Sequence, residues 1–366
     1  MKRFFFVIAL SALLLARSSS ASISVYSADS FAGADASVQI NACIAAVIAA
    51  GGGTCDASMF IGMRAMSQEV SVGSASSVAK HVGLTLLLPD TATWVWHLTD
   101  GVSCGLHQFS STAIIGKQPG AGGSRMVLTV SSGANMDSIY CTDGAGYGSY
   151  VRAEGFAIWN NQDGSSFANG VVHIRGVADE TSFTRIFAEN YYGDVWHIES
   201  ACCGARFEGI QGISNGAIAN GAIGGVPLTI GPGKVHNVSI YDSTFNQPGI
   251  SYPDVLIQGG TLVFGINFFN LYMEGNGAVD PATSMVYISA GVGPVHFFGG
   301  MGNTEQGQLS STKTVFENHG ARIDVPAFEV ANTTLGINDL TGATKIAVKQ
   351  FNGNLGSIPS YSTLLK

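Results

Sequence analysis

Two carboxylates stand at similar places in neighbouring stretches of this chain. Asp242 lies in "IYDSTFNQ" and Glu274 in "LYMEGNG". Carboxylates late in adjacent segments can do acid–base work, and His236 in "KVHNVSI" adds an imidazole to the region. Tyr241, Tyr272 and Phe269 sit beside them and offer ring faces to the apolar side of a sugar. Glu274, Asp242 and His236 are therefore the catalytic candidates, and Tyr241, Tyr272 and Phe269 the substrate-binding ones. His236 is expected to align with His296 of "PVHFFGG".

A second constellation repeats as Arg-x-Glu-Gly: Arg152 with Glu154, and Arg206 with Glu208. With one coil between the two copies, the charges share a face roughly 10 Å apart. Carboxylates at about that separation can serve an inverting glycosidase. Arg and Glu two apart on an outer strand face also read as solvated ion pairs, each worth little. These four residues join the substrate-binding candidates. A third pattern, Val-Trp-His, occurs at Val95–His97 and Val195–His197, and Val172-His173-Ile174 looks like the coil beside the latter. His173 and His197 are expected to stack on adjacent coils. Two imidazoles make a poor metal site, and the spacings hold no CxxC, HxxxH or HExxH. Phosphate loops and GxSxG are absent too.

Such residues need a frame that lines up segments of similar pattern. From about residue 137 the chain repeats a short apolar strand, a polar turn and a second strand, with starts recurring every 24 to 32 residues or so, the mark of a stacked solenoid. The strands are short, often alternate, and are unaccompanied by long amphipathic helices. The expected fold is all-β: a single-stranded right-handed parallel β-helix (solenoid) with an N-terminal α-helical cap. A β-sandwich or jelly roll shares the short strands and is the runner-up. Residues 22–58 are assigned to the cap helix and first strand, 59–330 to the coils, and 331–366 to C-terminal strands that fold back as a cap.

The cap is the stretch "GADASVQINACIAAVIAAGGGTCDAS", residues 33–58. Asp35 is a good N-cap, Val38, Ile40, Ile44, Val47 and Ile48 make an apolar helical face, and three glycines at 51–53 stop the helix. The stretch resembles the N-terminal cap of the pectin-lyase-like superfamily of right-handed parallel β-helices, and is closest to its pectate-lyase and glycosidase-related group. "FFNLYMEGNG" is similar to a coil of that superfamily. The resemblance implies a secreted carbohydrate-active protein, either a polysaccharide lyase or a glycoside hydrolase. It implies calcium for the pectate-lyase branch, yet no acidic calcium cluster with an Arg base aligns here. The Asp-Asp pair, Asn-Thr-Asp and Gly-His-Gly of the polygalacturonase type are missing as well. Those absences keep open a non-catalytic glycan-binding, adhesive or structural role. This sequence departs from the superfamily at Cys43 and Cys55, expected either as a disulfide that pins helix to strand or as two buried thiols. Cys202 and Cys203, being adjacent, are expected to pair elsewhere or stay reduced.

"MKRFFFVIALSALLLARSSSA" reads as a secretory signal peptide, residues 1–21, which places the mature chain outside the cell or in a periplasm. Its apolar run is too short to span a bilayer, and no later segment is apolar for long enough. The formal charge is −8, and loss of Lys2, Arg3 and Arg17 makes it −11. Nucleic acid is excluded as a partner by that acidic balance. A polysaccharide is the expected substrate or ligand.

Overall fold

The structure, a computed structural model, describes residues 24–74, 82–117, 125–143, 150–214, 225–246, 252–275, 284–304, 314–319, 322–331, 335–339, 346–348 and 351–352. The signal-peptide expectation lies outside them.

Alternation sets the fold. In strands such as Leu84–Leu87 and Ala92–Trp96 every second side chain is buried, as a half-buried strand requires. Tight corners separate the strands, and several carry left-handed residues: Arg185 (φ 52°), Gly209 (59°), Asp242 (46°) and Asn270 (55°). Asn, Asp and Gly suit such corners because they tolerate positive φ best. Each circuit therefore has three straight runs. Strands of successive circuits pair parallel and build three flats, A, B and C, around one apolar core.

Flat A contains Cys104–Gln108, Ser138–Thr142, Val172–Val177 and Trp196–Ala201. Flat B contains Thr112–Ile115, Val151–Glu154, Ser182–Thr184 and Arg206–Glu208. Flat C contains Met126–Val130, Ala157–Asn160, Phe187–Asn190 and Gln211–Ile213. Later strands run through the corners, so Leu262–Gly275 serves flat B at Phe269 and flat C at Glu274. The step between paired residues of successive circuits varies from 21 (Phe316 to Ile337) to 39 (Thr112 to Val151). That is a parallel β-solenoid, and the spread exceeds the spacing expected from sequence because the corners absorb loops of different length.

Inside, like residues stack. Phe183 lies on Phe207 and Phe268 on Phe297, each pair at 4.8 Å between ring centres. That distance is the strand spacing itself. Each fully buried ring contributes about 1.5–3 kcal/mol by leaving water.

The cap helix, α1, spans Ala36–Ala49. Asp35 accepts from the backbone N–H groups of Ser37 (2.8 Å) and Val38 (3.2 Å), and its other oxygen accepts from Ser67 N at 3.1 Å. Ile40, Cys43, Ile44 and Val47 are buried against the first coils. At Gly53 a Cβ would lie 2.2 Å from Ser24 O, so only glycine lets the chain leave the helix there. Cys43 and Cys55 are joined in a disulfide, helix to strand. A strand precedes the helix, at Val25–Ser27, and pairs parallel with Gly53–Asp56. At the other end Leu335–Asp339 and Ile346–Val348 continue the parallel stack and do not fold back. Among the described residues no helix is long and apolar enough to cross a membrane.

Candidate functional site

Flat B carries two outward columns along the solenoid axis. One reads Arg152, Ser182, Arg206, Ser239, Asn267, His296, Asp324. The other, two residues on, reads Glu154, Thr184, Glu208, Tyr241, Phe269, Phe298. Six substrate-binding candidates from the sequence, Arg152, Glu154, Arg206, Glu208, Tyr241 and Phe269, thus share one stripe. One coil, at Ser182 and Thr184, separates the two Arg-x-Glu copies.

Ion pairs occupy the first half of the stripe. Arg152 Nη2 lies 2.5 Å from Glu154 Oε2, Arg206 Nη2 lies 2.8 Å from Glu208 Oε2, and Arg185 also reaches Glu154. Burial tends to raise the Glu154 carboxyl, but Arg152 and Arg185 outweigh it and hold it below the usual carboxylate range. A carboxylate so clamped is a poor general acid.

Aromatic rings fill the second half. The Arg206 guanidinium covers the Tyr241 ring at 4.6 Å, Tyr241 stacks on Phe269 at 4.6 Å, and Phe269 on Phe298 at 4.9 Å. Inner rings of such a stack spend their faces on one another and turn edges to solvent. Tyr241 and Phe269 are therefore not the sugar platforms their ring type implies. Phe298 is in register with Ala327, so among the described residues the ring stack ends at Phe298, which is 42% exposed. Beside it, His296 Nδ1 lies 2.9 Å from Asp324 Oδ2, and Arg322 Nε donates to Asp324 Oδ1 at 3.0 Å. The carboxylate fixes the imidazole through Nδ1, while Nε2 has no hydrogen-bond partner among the described residues. An oriented imidazole with one nitrogen open is the geometry of a general base.

The three catalytic candidates do not share this face. His236 lies before the corner at Asn237 (φ 52°) and stacks on Phe264 at 5.2 Å. Asp242 is itself the corner between flats B and C, and accepts from Asn270 Nδ2 at 2.8 Å. Glu274 lies on flat C beside Asn246, with Tyr272 two residues before it. Two corners thus separate His236 from Glu274. The expected alignment of His236 with His296 fails for the same reason: the corner at Asn237 ends one run, so His296 falls in register with Asn267 and Ser239. The two Val-Trp-His copies are not equivalent either, since Trp96 is on flat C and Trp196 on flat A.

Flat A holds a separate titratable network that sequence spacing only partly revealed. His173 and His197 do stack, at 5.2 Å and 15°. His173 is 3% exposed, and its Nδ1 and Nε2 lie 2.9 Å from Asp137 and 2.7 Å from Glu199. Asp137 also accepts from Asn169 at 2.6 Å and faces Arg175 at 3.6 Å. Arg175 donates to His107 Nε2 at 3.2 Å, and His107 Nδ1 meets Glu69 at 2.9 Å. Burial pushes the Asp137 and Glu69 carboxyls up, yet both stay below their ordinary values. His173, Asn169 and Arg175 hold the first down, and His107, Cys104 N–H and Ser71 the second. Burial pushes the His197 imidazole down, against its bond to Gly231 O at 2.7 Å.

Two further disulfides complete the frame. Cys104–Cys141 lies within the flat A network. Cys202 is bonded to Cys203, contrary to the expectation that the two pair elsewhere or stay reduced. The pair sits on a corner where Cys203 takes φ 64°, which brings the two sulfurs to one side. The described donor groups that converge, Cys202–Cys203–His236 and Cys104–Asp137–Cys141, each contain a disulfide's two sulfurs and are unlike the oxygen-rich shell that calcium takes.

No protein-family model matches this chain, and no curated protein matches it in sequence. A solved structure from Geobacillus virus E2, ORF18, is similar at a TM-score of 0.40 and 12% identity over 89% of this chain. The chain spans 61% of that structure's length. A likeness of that size carries no argument about function.

Proposed function

We propose that this chain is an exported glycan-active β-solenoid that grips a sugar chain along flat B and cleaves it, as a glycoside hydrolase or polysaccharide lyase, beside Phe298. The observation that carries the reading is the end of the flat B stripe. There an exposed ring lies next to His296, whose Nδ1 is fixed by Asp324. The ring supplies a face for the apolar side of a sugar, and His296 Nε2 a base within the same patch. The resemblance of residues 33–58 to the pectin-lyase-like cap supports the same class, and a fold of this kind hosts many functions, so the reading rests on the site.

A second reading, a glycan-binding solenoid without catalysis, is favoured by the dispersal of Glu274, Asp242 and His236 over separate runs of the coil. One experiment separates the two. The protein is incubated with a panel of plant, bacterial and algal polysaccharides, and reducing ends and unsaturated products are measured. Cleavage of one glycan is expected, with His296→Gln lowering turnover by about 100-fold or more. Loss of turnover in Glu274→Gln with His296→Gln unaffected moves the chemistry to flat C and overturns the His296 assignment. Retention of a glycan without cleavage establishes the binding role, and neither retention nor cleavage rejects both.

A further inference from the structure

Tyr192 and Tyr252 are each 39% exposed, and they stand on different coils at the turns that lead from flat C into flat A. Between them opens a cavity of about 410 Å³, lined also by Ser166, Phe167, Asn190 and Asp194. Its size is that of a small-ligand site. Four successive coils contribute, as the register Val172–Trp196–Leu228–Val255 just beyond the turns establishes. Three steps of about 4.8 Å make the floor roughly 14 Å long, so the cleft suits an elongated ligand.

The floor is built around Asp194. Its Oδ1 accepts from Val226 N at 2.8 Å, and its carbonyl accepts from Asn190 Nδ2 at 2.8 Å. A Cβ at Gly225 would lie 2.3 Å from Asp194 N and 2.4 Å from its Oδ1, and one at Gly170 would lie 3.1 Å from its carbonyl oxygen. Glycines on both neighbouring coils thus let the chain close on this residue. Asp194 Oδ2 keeps no hydrogen-bond partner among the described residues. No Lys or Arg is among the described residues that line the cavity.

Two exposed phenol rings, a fixed carboxylate oxygen and no cation among the described lining residues match one ligand chemistry: an uncharged chain of polyol rings. The rings cover C–H faces, and the carboxylate accepts from hydroxyls. An anionic sugar would meet Asp194 without a compensating charge. We infer that this cleft is a binding subsite for a short neutral oligosaccharide, separate from flat B. It shares a ligand class with the proposed function and stands on a different observation.

The test is calorimetric titration of the full-length exported protein with neutral gluco-, manno-, xylo- and galacto-tetrasaccharides, and with tetragalacturonate as the anionic probe. At least one neutral probe is expected to bind. Tyr192→Ala and Asp194→Asn should each weaken it about tenfold or more, with the thermal midpoint of the exposed Tyr192→Ala variant unchanged. Phe298→Ala, on flat B, should leave this affinity within twofold. The inference is overturned if no neutral probe binds, if tetragalacturonate binds more tightly, or if affinity is lost in Phe298→Ala and kept in Tyr192→Ala. Loss of polysaccharide cleavage in His296→Gln is read in a separate assay, so either site can fail without the other.

Discussion

Flats A and B each carry a histidine held by a carboxylate, and the two histidines are left in opposite conditions. On flat A, His173 is buried and both ring nitrogens are engaged, by Asp137 and Glu199. On flat B, His296 is held by Asp324 at one nitrogen, and its ring stands beside an exposed Phe298. The same residue types therefore serve different ends. Polar groups on flat A are consumed in tying coil to coil over the Cys104–Cys141 disulfide. On flat B the charged groups also pair with one another, but His296 Nε2 remains open to a molecule from outside. Whether a ring nitrogen is left unengaged and accessible separates the two histidines.

The comparison breaks most visibly at the two histidines. His173→Leu leaves Asp137 buried beside a group that cannot donate to it. A cost of about 3–5 kcal/mol is expected, read as a fall in the urea midpoint. His296→Leu should cost under about 1 kcal/mol, as a partly exposed pair is worth little. Equal losses at the two sites would show that flat B is as structural as flat A.

A smaller effect should appear with pH. The folded value of His197 lies below its ordinary 6.5, so the unfolded chain binds a proton first. This contribution is fully present above about pH 6.5 and is lost as pH falls through the depressed folded value. Asp137 and Glu69 lie below their ordinary 3.8 and 4.5. Their contributions are present above those values and are lost as pH falls through the lowered ones. The urea midpoint should thus decline in two limbs, and His197→Gln should flatten the one nearer neutrality. A variant that keeps that limb intact would assign it to another group.

The smallest effect belongs to the charged half of flat B. Arg206→Gln removes an exposed ion pair and one cation–π contact, together worth about 0.5–1 kcal/mol. The thermal midpoint should barely move. A drop comparable with that of His173→Leu would mean that the Arg206–Tyr241–Phe269–Phe298 stack holds the coils together.

Much of the frame was legible before the structure. The Asp35 cap of the first turn, the apolar period of α1 and the glycines that end it follow from short-range rules, whatever distant groups they later meet. Repeating strands gave the solenoid, and Arg152, Glu154, Arg206 and Glu208 fell on one face because their motif recurs in the same phase. Register was harder. "VHN" in "KVHNVSI" and "VHF" in "PVHFFGG" look alike, yet a corner at Asn237 places them on different runs. A one-residue change in where a corner falls redirects every following side chain. By residue type and position Asp242 is a candidate for acid–base work, whereas its Asn270 hydrogen bond and positive φ make it part of a corner. Nothing in the sequence marked His296 with Asp324, 28 residues apart, as a pair.

By itself the sequence determined the parts whose physics is local: an apolar helix capped at Asp35, short alternating strands, acidic balance, and a coil period that forces parallel stacking. The tertiary structure alone decided which atoms converge. Corners set the phase of each run, so they placed His173 between two carboxylates, left His296 with an open nitrogen, and joined Cys202 to its neighbour. They also gathered Tyr192, Asp194 and Tyr252 from turns of different coils around one cleft. Convergence of this kind depends on the sum of every corner along the circuit, and no short window of residues contains that sum.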